Sequence, residues 1–235
     1  MKKETVLING CSTGLGFDLF KSLDKKKYNI LGLTSKIKNN SKNIYYYNPR
    51  EEINLSSNLE LFLKKNSIDH VVHCAGGGLG YRSSTLEIEK LKDLFNLNFF
   101  SIYQINRSLI LNKKKKKKLN IIMVGSLAGI ETVGYLGYSA AKGVLFSYNK
   151  NLSKYLRKEN VISKLIIPSF FHSTGGSLDR LKKRKPLIFR EINKKKPLSS
   201  NDLIKTIIYL LKKDSDILNG SSINLSKFMS TGVYF

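Results

Sequence analysis

The sequence predicts an α/β chain: a doubly wound parallel sheet of six or seven strands flanked by helices. Three observations carry the prediction. Short apolar runs alternate with amphipathic stretches from end to end, the pattern of a parallel sheet covered on both faces. The length of 235 residues suits a single domain, 1–235, and leaves little for a second. Hydrophobic residues make up 41% of the chain, enough to bury a core despite a formal net charge of +24.

The elements follow in order. Residues 5–8 read as a first strand closed by Asn9-Gly10, and 15–23 as the helix after it, ending in the charged segment 24–27. Residues 29–34 and 44–47 are the second and third strands. In 55–65 the apolar residues Leu59, Phe62 and Leu63 have helical spacing. Residues 69–73 form a fourth strand running into Ala75-Gly76-Gly77-Gly78, and one long helix covers 88–111. Residues 120–124 are a fifth strand, 138–156 a helix, and 162–167 a sixth strand stopped by Pro168. A late helix, 202–211, is opened by Ser199 and Ser200 with Asp202 in its first turn, and 222–225 supply a last strand.

Charge dominates the composition, with 41 Lys+Arg against 17 Asp+Glu. A basic surface of this size invites a nucleic-acid reading. Composition offers another account. Lys (34), Asn (21) and Ile (23) together make 78 residues, the bias of an AT-rich coding sequence, while Arg numbers only 7. Phosphate-reading surfaces favour the planar fork of Arg. Tyr45-Tyr46-Tyr47 could stack bases but reads better as the third strand, so no nucleic-acid partner is expected. No apolar run approaches the ~18–20 residues of a membrane span. Met1-Lys2-Lys3-Glu4 does not open a signal peptide, so a cytoplasmic chain without membrane contact is expected. Cys11 and Cys74 lack CxxC spacing, and with His70, His73 and His172 they form no metal constellation.

Two segments are compositionally odd. Residues 113–118 are six consecutive lysines, read as a solvated helix end or loop. Residues 172–197 carry nine Lys/Arg against Asp179 and Glu191, too long a stretch for a plain connection; it is either a lid or a floppy insertion.

Three motifs carry chemistry. Gly10-Cys11-Ser12-Thr13-Gly14-Leu15-Gly16 lies between strand one and helix one. Glycines there allow a tight turn and close backbone approach to a pyrophosphate, and the helix N-terminus favours its charge. In Tyr138-Ser139-Ala140-Ala141-Lys142 the i and i+4 side chains share a helix face. An ammonium close to a phenol lowers its pKa from about 10 and makes proton exchange with a substrate oxygen feasible. Ser126 follows Gly125 at the end of strand five, where open parallel sheets bind ligands, and its hydroxyl can reach a reacting carbonyl. Each motif alone has a duller reading, as a connecting turn, a surface pair or a helix cap.

Together, Gly10/Gly14/Gly16, His73-Cys74-Ala75-Gly76, Asn98, Ser126 and the Tyr138–Lys142 set stand in an order that closely resembles the short-chain dehydrogenase/reductase family of compact, single-domain type. The likeness spans residues 5–225. It implies a Rossmann-like fold in which Tyr138 is the general acid/base and Lys142 lowers its pKa and binds the nicotinamide ribose. It also implies that Ser126 orients the carbonyl and that Asn98, not the nearby Asn96, holds a water joining Lys142 to solvent. Gly10, Ser12, Thr13, Gly14, Leu15 and Gly16 would cradle the pyrophosphate, with Ala75 and Gly76 beside adenine and ribose.

Departures from the family pattern are specific. Its Asn-Asn-Ala-Gly reads His73-Cys74-Ala75-Gly76, which makes His73 and Cys74 structural. Its Pro-Gly reads Pro168-Ser169, leaving Ser173 or Thr174 for the carboxamide contact. Its terminal Asp-Gly-Gly is replaced by Asn224-Leu225-Ser226-Lys227. Strand two ends in Thr34-Ser35-Lys36 with no acid. An acid there would bind the ribose hydroxyls of NAD and repel a 2′-phosphate, so Ser35 and Lys36 favour NADP(H) over NAD(H).

The resulting expectation is an NADP(H)-dependent oxidoreductase interconverting a carbonyl and a secondary alcohol. The alternative is a non-catalytic nicotinamide-binding sensor or partner-binding protein. The basic stretch 172–197 is the substrate-loop candidate, steering a small anionic or carrier-linked substrate. Relatives pair through the helices holding Asn98 and Tyr138, where Phe99, Leu145 and Phe146 lie, which implies a homodimer or homotetramer.

Overall fold

The structure is a computed structural model that describes residues 3–36, 40–52, 54–131 and 135–226. Met1, Lys2 and Lys227, which entered the reading of the termini, lie outside the described residues. The strands, in chain order, are β1 (Glu4–Asn9), β2 (Tyr28–Thr34), β3 (Ile44–Tyr46), β4 (His70–His73), β5 (Leu119–Val124), β6 (Val161–Pro168), β7 (Phe171–His172), β8 (Leu198–Ser199) and β9 (Ser222–Leu225). The helices are α1 (Gly14–Ser22), α2 (Ser57–Lys65), α3 (Ile88–Phe95), α4 (Ser101–Asn112), α5 (Leu136–Tyr155), α6 (Ser177–Arg184), α7 (Pro186–Lys194) and α8 (Ser200–Leu210).

Seven strands form one parallel sheet in the order β3-β2-β1-β4-β5-β6-β9. The period-two alternation of each strand divides the core between its faces. Leu7, Ile121, Met123 and Leu165 pack with α2, α4 and α5. Val6, Ile8, Ile122 and Ile166 pack with α1 and α8. Each fully buried aliphatic side chain contributes about 1.5–3 kcal/mol, and a one-residue slip would exchange the side chains of the two faces and misfit both cores. The strand order reverses between β1 and β4, and the crevice at their carboxyl ends is where doubly wound sheets bind ligands.

Three local readings of the sequence need revision. The long helix over 88–111 is broken: a π-helical turn, Asn96–Phe100, separates α3 from α4. The stretch 172–197 is not a floppy insertion, for α6 and α7 form a helical hairpin whose two ends are joined by the short parallel ladder β7–β8. Leu178 anchors it, 1% exposed, while every Lys and Arg of the stretch faces solvent. The lysine run is only partly a solvated loop. Lys117 pairs with Asp69 at 2.9 Å and Lys118 with Asp216 at 3.0 Å, pinning the turn between α4 and β5.

A buried polar seam crosses the core beside the crevice. Asn9 Nδ2 donates to His73 Nδ1 (3.3 Å), His73 Nε2 donates to Asn106 Oδ1 (2.9 Å), and Asn106 Nδ2 donates to the Tyr148 hydroxyl (3.3 Å). His73 is fully buried, and burial lowers its pKa to about 4. The unfolded chain takes up a proton here below its ordinary pKa near 6.5, the folded chain only below about 4. Between those values the unfolded state holds more protons, so stability falls as pH falls through that window. A shift of this size is worth about 3 kcal/mol. We expect the melting temperature to drop between pH 6.5 and 4, and to drop less in His73→Asn. Equal slopes in both proteins would contradict this assignment.

Candidate active site

The glycine-rich loop occupies the carboxyl end of β1. Gly10 N and Cys11 N both donate to Leu33 O, at 2.9 and 3.1 Å, tying the loop to the end of β2. Gly10 has φ +91° and lies so close to the β4 loop that a Cβ there would meet Ala75 N at 2.6 Å. Gly14 has φ +64° and opens α1. Thr13, its N-cap, makes no side-chain cap hydrogen bond, whereas Ser56 and Ser199 cap α2 and α8. Gly14 N is taken by a backbone carbonyl of the loop after β6, and no side chain caps the other first-turn amides of α1, whose partial positive charge stays available to an anion. Ser12, Thr13 and Gly14 are partly open to solvent, and Leu15 and Gly16 are buried behind them.

Across the crevice, Ala75 and Gly76 follow β4, and a Cβ at Gly77 would find nothing within 4 Å. On the other side Ser35 and Lys36 are exposed, in a corner set by Lys36 N donating to Thr34 Oγ1 at 3.1 Å. The loop after β6 closes the near end. Gly14 N donates to Thr174 O (2.7 Å), and Thr174 N donates to Asp18 Oδ2 (3.1 Å). Ser173 Oγ would lie 3.7 Å from a Cβ at Gly14. Backbone donors, open glycine surface and an exposed ammonium beyond them fit a dinucleotide. The sequence pattern did not reveal Thr174 and Asp18 as the pair that holds this loop.

Asn98 sits in the π-helical turn, a feature that recurs at functional sites. Its Nδ2 donates to Leu94 O (2.9 Å) and Gly77 O (3.0 Å), and Gly77 N donates to its Oδ1 (3.0 Å). The carboxamide is thus committed to clamping the β4 loop. A Cβ at Gly76 would stand 2.8 Å from both Asn98 Oδ1 and Lys142 Nζ, so only glycine passes between them. Asn96, at the start of the same turn, is buried.

Tyr138 lies in the first turn of α5 and Lys142 one turn on. Lys142 is 3% exposed, and its Nζ donates to Val124 O at 2.9 Å. Burial lowers its pKa to about 8, leaving it mostly charged at neutral pH. Ser126 ends β5's extension as the cap of a 3-10 turn, accepting from Ala128 N at 3.2 Å. The Ser126 hydroxyl stands near enough to the Tyr138 phenol to lower its pKa.

The expected lowering of the Tyr138 pKa is not found. Burial raises it, and the Ser126 hydrogen bond offsets only part of the rise. The reason is geometric: the Lys142 ammonium is turned onto the Val124 carbonyl rather than towards the phenol. Tyr138 is therefore held as the neutral acid. Among the described residues no cluster of His, Cys, Asp or Glu could hold a metal ion, and no helix is long and apolar enough to cross a membrane.

Comparison with known proteins adds independent findings. The short chain dehydrogenase family profile matches residues 55–183, more than half of the chain. A 3-oxoacyl-(acyl-carrier-protein) reductase from Buchnera aphidicola subsp. Schizaphis graminum is 22% identical over 239 residues, covering 96% of this chain and 97% of its own length. Among solved structures, ElxO with NADP bound superposes with a TM-score of 0.80 at 17% identity, covering 95% of this chain and 97% of its own. A 4-hydroxyisoleucine dehydrogenase complexed with NADH has a TM-score of 0.75 at 19% identity, covering 95% and 96%.

Proposed function

The chain belongs to the short chain dehydrogenase family, whose members are oxidoreductases acting on CH–OH and C=O groups, and from that premise we propose that it is an NADP(H)-dependent reductase of a carbonyl compound with Tyr138 as acid/base. One observation carries the reading: the Gly76–Gly78 segment brings Asn98, Lys142 and Tyr138 together at the sheet's carboxyl edge, a Cβ at Gly76 standing 2.8 Å from Asn98 Oδ1 and Lys142 Nζ and one at Gly78 3.8 Å from Tyr138 Cγ. A sensor that only bound cofactor would have no use for that set.

Gly10, Ser12, Thr13, Gly14, Leu15 and Gly16 hold the pyrophosphate, Ala75 and Gly76 flank adenine and ribose, Lys142 takes the nicotinamide ribose, and Ser173 the carboxamide. When bound, the nicotinamide supplies or accepts the hydride. Ser126 donates to the substrate carbonyl oxygen and orients it. Tyr138, neutral at pH 7, gives its proton to that oxygen as negative charge develops there, and preorganised donors of this kind stabilise the transition state. Lys142 is a fixed positive charge behind the phenolate left on Tyr138. Asn98 keeps the loop before Tyr138 in place through Gly77.

The cationic α6–α7 hairpin follows the strand whose end borders the site, and it suits an anionic or carrier-linked substrate. The Buchnera relative is named as a reductase of a carrier-linked substrate. Phe100 and Tyr103, 40% and 42% exposed, lie in a ring cluster with Phe99 and Tyr148. We assign that face to pairing with a second copy.

Cofactor preference is tested by thermal shift with NADP and NAD on wild type and Lys36→Ala. NADP is expected to stabilise the wild type more. A charge-assisted contact is worth about 1.5–3 kcal/mol, so Lys36→Ala should weaken NADP binding about tenfold and leave NAD within about twofold. Equal stabilisation by both cofactors in the wild type would overturn the NADP assignment.

A further inference from the structure

The loop between β4 and α3 turns back on itself at Leu79 (φ 53°) and Gly80 (φ 83°), close to the proposed reaction centre. A Cβ at Gly78 would lie 3.8 Å from Tyr138 Cγ. The next residues are pinned. Tyr81 N donates to Gly78 O (3.0 Å), and the Tyr81 hydroxyl donates to Asp93 Oδ2 (2.9 Å). Further along, Leu86 packs so tightly on α5 that a Cβ at Gly137 would come within 2.6 Å of it. Arg82 is held between these anchors, its guanidinium 5.4 Å from the ring centroid of Tyr135. Tyr135 caps α5 three residues before Tyr138.

Arg82 has no carboxylate partner among the described residues, and it is exposed. Asp93, which braces the neighbouring Tyr81, is already taken by Arg50 at 2.7 Å. A ring beside a guanidinium attracts the cation and leaves its N–H groups available to an anion. Those groups match the oxygens of a carboxylate or phosphate, which they bind in pairs.

We infer that Arg82 is a specificity-determining residue that receives an anionic group, carboxylate or phosphate, of the carbonyl substrate. The inference rests on the carbonyl-reductase reading and narrows it: the charge of the substrate is read by Arg82 and not only by the α6–α7 hairpin. A hydrogen-bonded charge pair of this kind is worth about 1.5–3 kcal/mol, or roughly 10- to 100-fold in affinity.

The test uses NADPH and three aldehydes: 4-formylbenzoate, 4-formylphenyl phosphate and the neutral methyl 4-formylbenzoate. Wild type is expected to prefer either anion to the ester by about tenfold or more in kcat/KM. In Arg82→Met that ratio should fall towards one, and Arg82→Lys should restore part of it. A preference confined to one anion identifies which group Arg82 takes. An ester turned over as well as the anions by wild type, or a ratio unchanged in Arg82→Met, overturns the assignment. Calorimetric titration of 4-formylbenzoate into NADPH-loaded Tyr138→Phe, with and without Arg82→Met, reads the same contact without turnover. If wild type reduces none of the three, the reductase reading fails for these aldehydes. Arg82 is then judged on binding alone, where loss of affinity upholds it and equal affinity rejects it.

Discussion

Tyr138→Phe is expected to lower NADPH-dependent carbonyl reduction by on the order of 10²–10⁴-fold, the contribution of a positioned acid, while NADPH binding persists. The substitution removes one oxygen from a ring otherwise held by α5 and the Gly78 segment. The groups assigned to the cofactor, from Gly10 to Gly16 and at Lys142, keep their positions because none of them is held by that hydroxyl; Lys142 Nζ rests on Val124 O. Steady-state rates and the NADPH-induced thermal shift separate the two effects. Full activity in the variant would remove Tyr138 from the chemistry.

The second large effect is structural. Gly16→Ala would place a Cβ 2.1 Å from Gly10 O and 3.0 Å from Cys74 Cβ. The first contact is with backbone, so no side-chain rotation relieves it, and α1 must move away from β1. Overpacking of this kind costs about 1–3 kcal/mol or more, a fall of roughly 2–12 °C in melting temperature for a chain of this size. The same movement withdraws the α1 amides from the crevice, and NADPH affinity should drop at least about tenfold. Gly143→Ala is the comparison, since its Cβ would meet Gly129 O at a milder 3.3 Å. Equal losses in the two variants would mean that the α1–β1 approach is not what Gly16 secures.

The sheet was legible because its information is local. Alternating apolar runs such as Ile121-Ile122-Met123-Val124 supply both faces of the core, and the glycine loop marks where β1 ends. The candidate site residues stand in the sequence as ordered motifs, and the structure brings Tyr138, Ser126, Lys142 and Asn98 to one edge of the sheet. What the sequence hid depends on contacts distant along the chain. The π-helical turn is coupled to Asn98 bonding Gly77, which stands 21 residues earlier, and helical spacing carries no trace of it.

The direction of the Tyr138 shift was hidden for a similar reason. A Tyr and a Lys four apart share a face, but the partner of the ammonium is the Val124 carbonyl on β5. The α6–α7 hairpin was obscured by its lysines, which mask a short apolar stripe anchored by Leu178. Lys164 gave no signal at all. It is fully buried on β6, where Asn120, Ser215 and the Leu210 carbonyl accept its three hydrogen bonds. A lysine inside a mostly apolar strand looks like an error of pattern until those partners are seen. Arg82 belongs to no motif, and only the fold brings it beside Tyr135.

The high positive charge is mostly surface, and a few cations stand apart from it by position: exposed Lys36 after the end of β2, Lys142 buried on the Val124 carbonyl, Arg82 over the Tyr135 ring. Whether they serve a reductase is tested most directly by following NADPH consumption and alcohol formation together across a panel of carbonyl compounds. The account predicts at least one carbonyl reduced in one-to-one proportion to NADPH by the wild type and not by Tyr138→Phe. NADPH that binds yet is consumed with no carbonyl, or consumed equally by both proteins, would contradict it.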